Sequence, residues 1–258
     1  MHPLVHKVYT LTRRILPNSA VKSARNLLEA RLDGVFKQHY YGQFAEDAVI
    51  RDILRKRHWD RHGSSDGITD MGCGFYVDVG AYAPKQYSNT YLFYKHGWRG
   101  INIDATPGSM RQFERVRPRD INLELAISSS EGEMTFYSWG SPNVFNTFSV
   151  EHARSFEEKI GTPPQKIPVQ ALKLATVLDR HVPAGQSIDL MSVDAEGHDL
   201  EVLKSNDWER FRPGLLIVEV HHDTVDEVLD TEVVKYLRAR NYNVHTVVGP
   251  SVIFERRD

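Results

Sequence analysis

Gly74-Phe75-Tyr76-Val77-Asp78-Val79-Gly80-Ala81-Tyr82 and its downstream counterpart, Gly100-Ile101-Asn102-Ile103-Asp104-Ala105, decide the fold. Each is a short apolar run with β-branched residues that carries an acidic side chain toward its end. This is the pattern of a parallel strand, buried on both faces, that delivers a carboxylate to the C-terminal edge of a sheet. Open α/β sheets bind ligands at that edge. Gly80 is read as the residue that lets the chain turn tightly and a ligand approach the backbone. Asp104, about 20 residues further on, stands where an acidic side chain accepts hydrogen bonds from ribose hydroxyls. A nucleoside-containing cofactor is the first expectation.

Downstream of the first strand, Ser88 and Asn89 can cap a helix over residues 90–96, with Gly97 as its stop. That helix start lies beside Asp78 and Gly80 and offers backbone N–H groups to an anionic or carboxylate-bearing ligand. After the second strand, Met110, Phe113 and Val116 mark a helix that ends at Arg117-Pro118. Residues 121–127 then form a third strand, and this β-α-β-α-β alternation predicts a parallel sheet with right-handed crossovers. Residues 188–193 and 215–220 read as a fourth and a fifth core strand, the fourth leading into Asp194 and the fifth carrying Glu219. Short helices are expected around Leu174 to Leu178, Leu200 to Leu203 and Val233 to Leu237. Residues 243–248 and 252–255 read as a terminal antiparallel hairpin through Gly249-Pro250. The middle of the chain is different in character: 133–139 alternates, Pro142, Asn143, Asn146 and Thr147 lie in a polar, aromatic loop, and 150–160 is helical. Residues 131–170 are assigned to an insertion that recognises the acceptor, a structural flap being the alternative.

Upstream, residues 1–39 carry two helical patterns in which Lys7, Arg13, Arg14, Lys22, Arg25, Arg31 and Lys37 outnumber Glu29 and Asp33. A basic amphipathic extension suits anionic lipid headgroups, and a solvated basic face explains it equally well. The Glu46-Asp47 pair at the start of the next helical run reads as helix capping, and residues 58–71 read as a surface loop. With 258 residues the chain suits one α/β domain plus an extension. Lys+Arg 32 against Asp+Glu 34, a net charge of -2, gives no footprint for wrapping nucleic acid. The single cysteine, Cys73, is read as packing beside a buried strand. The absence of disulfide pairing, of long apolar runs and of a signal-like N-terminus predicts a cytoplasmic protein, at most attached to a membrane surface.

The edge of the sheet thus gathers Asp78, Asp104, Asp194, Glu219, His198 and His221. Asp78 and Asp104 suit cofactor contacts and leave Asp194 and Glu219 for an acceptor. Two carboxylates near a histidine can hold a hard divalent cation, or support proton removal from a hydroxyl. The candidate catalytic residues are Asp194, His198 and His221, and the candidate metal ligands are Asp194 and Glu219, for magnesium or manganese. Helix capping by Asp194, backbone contacts of Glu219 and ordinary surface histidines are the structural alternatives.

The segments 41–47, 76–81, 100–104, 188–198 and 217–220, in this order and spacing, resemble the FkbM-type S-adenosylmethionine-dependent methyltransferases from about residue 40 to the end. The resemblance implies a class I methyltransferase fold of the Rossmann-like kind: a mostly parallel seven-stranded sheet with helices on both faces and the last strand antiparallel. Residues 1–39 would be an N-terminal helical extension and 40–258 the methyltransferase domain. It implies O-methylation of a hydroxyl in a glycan or glycolipid, or in a polyketide-type metabolite. Asp78, Gly80 and Ala81 would line the methionine part of the cofactor and Asp104 its ribose. Ser88, Asn89 and Ala126 complete the candidate cofactor set, and Asp194, Glu196 and Glu219 match later acidic positions. The stretch Gly80-Ala81-Tyr82-Ala83 lacks the richer glycine pattern of many methyltransferases. A nicotinamide-dependent oxidoreductase is the enzyme alternative, although the chain lacks G-x-G-x-x-G after its first strand. A nucleoside-cofactor-binding module without turnover is the third.

Overall fold

The computed structural model describes residues 39–62, 72–140, 143 and 145–257. The predicted basic helices, all but His39 of segment 1–39, lie outside the described residues, as do 63–71 of the predicted surface loop and Pro142. The chain divides into two units, Met1–Tyr40 with Arg51–Gly72, and Tyr41–Ile50 with Cys73–Asp258. Helix α1 (Glu46–His62) contributes to both and continues past residue 58, where the sequence suggests a loop. Among the described residues no helix is long and apolar enough to cross a membrane.

In the second unit the elements follow as β1 (Phe75–Val79), α2 (Tyr91–Lys95), β2 (Arg99–Asp104), α3 (Met110–Val116), β3 (Ile121–Glu124) and β4 (Ala126–Ile127). Next come β5 (Gly132–Ser138), α4 (Val150–Ile160), β6 (Gln165–Leu172), α5 (Leu174–His181), β7 (Leu190–Val193) and α6 (Asp199–Lys204). The chain ends with β8 (Leu215–Glu219), α7 (Val225–Asp230), α8 (Glu232–Arg238), β9 (Tyr242–Val248) and β10 (Ser251–Arg256). Seven strands form one sheet in the order β3-β2-β1-β7-β8-β10-β9. Neighbours from β3 to β8 pair in parallel, and β10 is antiparallel to both β8 and β9. The hairpin and the reversed last strand are as expected.

Strand periodicity distributes the side chains to two faces. Phe75, Val77 and Val79 of β1, Met191 and Val193 of β7, and Leu216 and Val218 of β8 share one apolar cluster with α5 (Leu174, Val177, Leu178), α6 (Val202, Leu203) and α8 (Val234, Leu237). Most of these side chains are fully buried, each worth about 1.5–3 kcal/mol relative to exposure. The alternate positions, Tyr76 and Asp78 of β1 and Ser192 of β7, belong to the opposite face. There they meet α2 and the end of α3 through hydrogen bonds rather than apolar packing.

The strand order reverses between β1 and β7, the switch point where ligands settle in open α/β sheets. Gly80 stands there with φ +76, and a Cβ on it would lie 1.7 Å from the Asp194 carbonyl oxygen. The side on which the sequence left room for a ligand is therefore filled by the backbone that follows β7. The Gly80 and Ala81 N–H groups are also used, both donating to the Ile103 carbonyl. Gly80→Ala combines left-handed strain with backbone overlap, and we expect a loss of roughly 2–5 kcal/mol of stability. A denaturant midpoint unchanged from wild type would disprove this reading of the β1–β7 contact.

The predicted third strand is divided. Leu125 N–H donates to the Asp104 carbonyl, where β2 ends, and beyond it the chain has no further partner in the large sheet. Ala126 and Ile127 instead pair with Ala171 and Leu172 of β6, in a three-stranded sheet ordered β4-β6-β5. Strand β6 runs through Pro168 in the stretch assigned to the insertion, where the sequence reading names no strand. The proline is tolerated because β4 reaches only Ala171 and Leu172, leaving β6 an edge at Pro168. Helix α4 has its expected stops: the Ser149 side chain accepts from His152 N–H, and Gly161 adopts a left-handed C-cap. Cys73 is exposed rather than packed, because it precedes the strand.

Candidate active site

A cavity of about 430 Å³ opens at the C-terminal edge of the large sheet, within the size range of small-molecule sites. Of the sequence candidates, Asp78, Gly80, Ala81, Asn89, Asp104, Ala126, Asp194, Glu219 and His221 line it. Ser88 and His198 do not. Ser88 is buried and accepts from the N–H groups of Thr90 and Tyr91, which makes it the cap of α2. His198 Nε2 lies 3.2 Å from Ser128 Oγ, its ring sits beside Phe148, and burial lowers its pKa. The turn that presents Asp194 thus directs His198 away from the cavity.

On one side of the cavity, Asp104 accepts Thr106 N–H on Oδ1 and Tyr82 N–H on Oδ2, at 2.8 and 2.9 Å. Burial raises its pKa and these backbone donors oppose the rise. The Thr106 and Ser109 hydroxyls act in the same sense as the backbone donors. Leu125, Ala126 and Ile127, at the transfer between the two sheets, add an apolar wall. Tyr82 and Tyr87 both have left-handed backbones, φ 53 and 57, with rings stacked at 5.9 Å. Such conformations cost about 1–3 kcal/mol each and gather at ligand sites.

On the other side, Asp194, Glu196 and Glu219 offer carboxylate oxygens that all lie within 4.8 Å of one another. The tight turn after β7 makes this possible. Asp199 is buried and accepts from Ala195 N–H at 2.8 Å and Gly197 N–H at 3.2 Å. Thr147 donates to the Glu196 carbonyl at 2.9 Å. Together they hold Glu196 at φ 51 and Gly197 at φ 88. Burial raises the Asp194 carboxyl well above its ordinary range, with repulsion from Glu219 and Asp199 adding to it. Burial also pushes Glu196 up to about 8, helped by Asp194, Asp199 and Asp104. Glu219 is pushed up to about 7 by burial, a hydrogen bond from Asp194 opposing and Glu196, Asp199 and Glu46 adding to it. Asp194 Oδ1, Glu219 Oε2 and Asn89 Oδ1 have no hydrogen-bond partner among the described residues. They are acceptors in the cavity wall in want of donors. His221 Nε2 lies 3.7 Å from Glu219 Oε2, with most of its ring exposed.

The insertion supplies aromatic rings. Phe136 packs at a tilt against Phe148 at 4.9 Å and Phe145 against Phe156 at 5.1 Å, and all four line the cavity with Asn143 and Asn146. Sequence reading missed Glu46 as a site residue. Asp47 does cap, accepting from Tyr41 and Ala48 N–H groups, but Glu46 lines the cavity and holds Ser251 Oγ at 3.1 Å. It also missed Thr90 and Arg117 beneath Asp78.

A search of curated protein sequences returns no match. One solved structure, an rRNA methylase from Escherichia coli, aligns over 98% of this chain and 91% of its own at 12% identity, with a TM-score of 0.26, a likeness on which no argument rests. The methyltransferase FkbM domain matches residues 78–244, from the carboxylate of β1 through the sheet edge just described into β9. With more than half of its length matched, and with the seven-stranded sheet and reversed last strand that the resemblance implied, this chain belongs to the FkbM methyltransferase family.

Proposed function

We propose that the protein is an S-adenosylmethionine-dependent O-methyltransferase acting on a hydroxyl of an uncharged acceptor, a sugar in a glycan or glycolipid. The observation that carries this is the carboxylate group Asp194, Glu196 and Glu219 facing the same cavity as Asp104, with Glu219 titrating near 7 and Glu196 near 8. A base is most effective when its pKa is near the working pH. The two halves of the cavity fit the two reactants. Asp104 lines the cavity where ribose hydroxyls would lie, Leu125 to Ile127 offer an apolar surface for a base, and Asp78 with Asn89 suits an ammonium group. The cofactor, when bound, supplies a methyl group already activated by a sulfonium. What remains for this chain is to align the acceptor oxygen and accept its proton. The hydrogen-bonded pair of Asp194 and Glu219 accepts that proton as the oxygen attacks, Glu219 being the member left charged.

Among the described residues the lining includes six acids, Glu46, Asp78, Asp104, Asp194, Glu196 and Glu219, and neither lysine nor arginine. Such a cavity disfavours phosphate or uronate groups, and nucleic acid for the same reason. Phenylalanine faces beside asparagine amides suit the apolar faces and hydroxyls of a sugar. The close carboxylates also favour a second reading, in which Asp194, Glu196 and Glu219 hold a divalent cation that acidifies the acceptor hydroxyl. One assay tests both: transfer of labelled methyl to neutral glycans and glycolipids, to phosphorylated or uronate sugars, and to RNA, each with and without chelator. Label on neutral acceptors is expected, and label only on RNA or anionic sugars would overturn the reading. Loss with chelator and recovery with magnesium or manganese supports the cation. Full transfer in chelator leaves proton acceptance alone.

A further inference from the structure

Arg117 follows α3 and is completely buried, a setting in which an arginine persists only when paired and hydrogen-bonded. Its Nε donates to Asp120 Oδ2 at 2.9 Å and its Nη1 to Ser88 Oγ at 3.3 Å. Its Nη2 donates to the Tyr76 hydroxyl at 2.7 Å and to Thr90 Oγ1 at 2.9 Å. The Thr90 hydroxyl, having accepted there, donates its single hydrogen to Asp78 Oδ2 at 2.6 Å. We propose that Arg117 and Thr90 are positioning residues for the cofactor: through this relay they fix the Asp78 carboxylate in one orientation to receive the ammonium group of the cofactor's amino-acid end. The proposal rests on the cofactor reading above.

Helix capping does not account for the arrangement. Thr90 stands at the N-cap of α2, yet its side chain makes no capping bond, and Ser88 Oγ takes the Thr90 and Tyr91 N–H groups instead. The Thr90 hydroxyl is thus free for the relay. The charged and titratable groups around Asp78 act in a definite sense. Burial raises its pKa, Arg117 is the largest influence holding it down, the Thr90 and Ser192 hydroxyls assist, and Asp120 opposes. Tyr76, whose own titration is pushed up by burial, stays neutral and links Arg117 to Asp120. Asp78 lines the cavity, so a cationic group bound there would meet a carboxylate already held by Thr90.

Removing Arg117 would strand Asp120 and Tyr76, so the test uses Thr90. S-adenosylhomocysteine, which has the same ammonium group, is titrated calorimetrically into the wild type, Thr90→Val and Thr90→Ser between pH 5.5 and 8.5. Thr90→Val is expected to weaken binding about tenfold near the acid end and less at pH 8.5, as the loss of one hydrogen bond to a charged group implies. The acid limb moves upward because Asp78 then protonates more readily. Thr90→Ser restores the wild-type profile. A lowered melting temperature with binding unchanged, or weakened by the same factor at every pH, overturns the relay. Failure of Thr90→Ser to restore the profile does so too. If the wild type itself does not bind the probe, the cofactor reading falls and takes this one with it.

Discussion

Asp194→Asn is expected to lower turnover by about a hundredfold or more, the usual worth of a positioned base, while leaving cofactor affinity within about threefold, since Asp194 belongs to the acceptor side and one lost uncharged contact is worth no more. The same substitution should raise the melting temperature at pH 8.5 and leave it nearly unchanged at pH 5. The sign follows from linkage. Glu196 and Glu219 titrate near 8 and 7 in the folded chain against an ordinary 4.5, and Asp194 is raised as well. Carboxyls raised on folding favour the folded state fully below their unfolded values, and that contribution is lost as the pH climbs through 7 and 8. At alkaline pH the three charges therefore strain the fold, and an uncharged residue at 194 relieves repulsion on Glu196. The gain in stability with loss of activity separates a working carboxylate from a structural one. Turnover near wild type would remove Asp194 from proton transfer. A fall in melting temperature at pH 8.5 would make it a support of the turn after β7.

The sheet was legible because buried parallel strands leave a strong trace: short apolar runs such as Phe75 to Val77 and Leu215 to Val218. The acids at their ends came with them, and Asp78, Asp104, Asp194 and Glu219 do meet at one cavity. What escaped reading was set by contacts distant in sequence. Arg117 looks like a helix stop before proline, and only the meeting of α2, α3 and β1 turns it into a buried partner of Thr90 and Asp78. Glu46 beside Asp47 looks like a second capping acid, and it does accept the Phe44 N–H, yet its other oxygen takes the Ser251 hydroxyl, more than two hundred residues on. Gly80 announces a need for space, but a glycine does not say what fills it, and here it is the Asp194 carbonyl. His198 follows Asp194 closely in sequence. The left-handed pair Glu196 and Gly197 turns the chain, and the histidine goes to Ser128.

Asp104→Ala should weaken S-adenosylhomocysteine by at least about a hundredfold, because two hydrogen bonds to a charged acceptor are lost together. The carboxylate does more than face the cavity. It ties Tyr82 and Thr106 through their N–H groups, and so joins the loops after β1 and β2 across the site. Tyr82 in turn stacks on Tyr87, so loss of the carboxylate also loosens a wall of the cavity. Asp104→Asn separates these contributions. Its amide oxygen can still accept from Thr106, while its amino group faces Tyr82 N–H, donor to donor, and can no longer accept from a ribose. An intermediate loss, about tenfold, is then expected. Calorimetry with the two variants, alongside S-adenosylmethionine and NAD on the wild type, decides the cofactor. Ordered losses for the adenosyl sulfur ligands place a ribose on Asp104. Undiminished affinity in Asp104→Ala would move the nucleoside elsewhere in the cavity, and binding of NAD alone would replace methyl transfer with hydride chemistry at the same sheet edge.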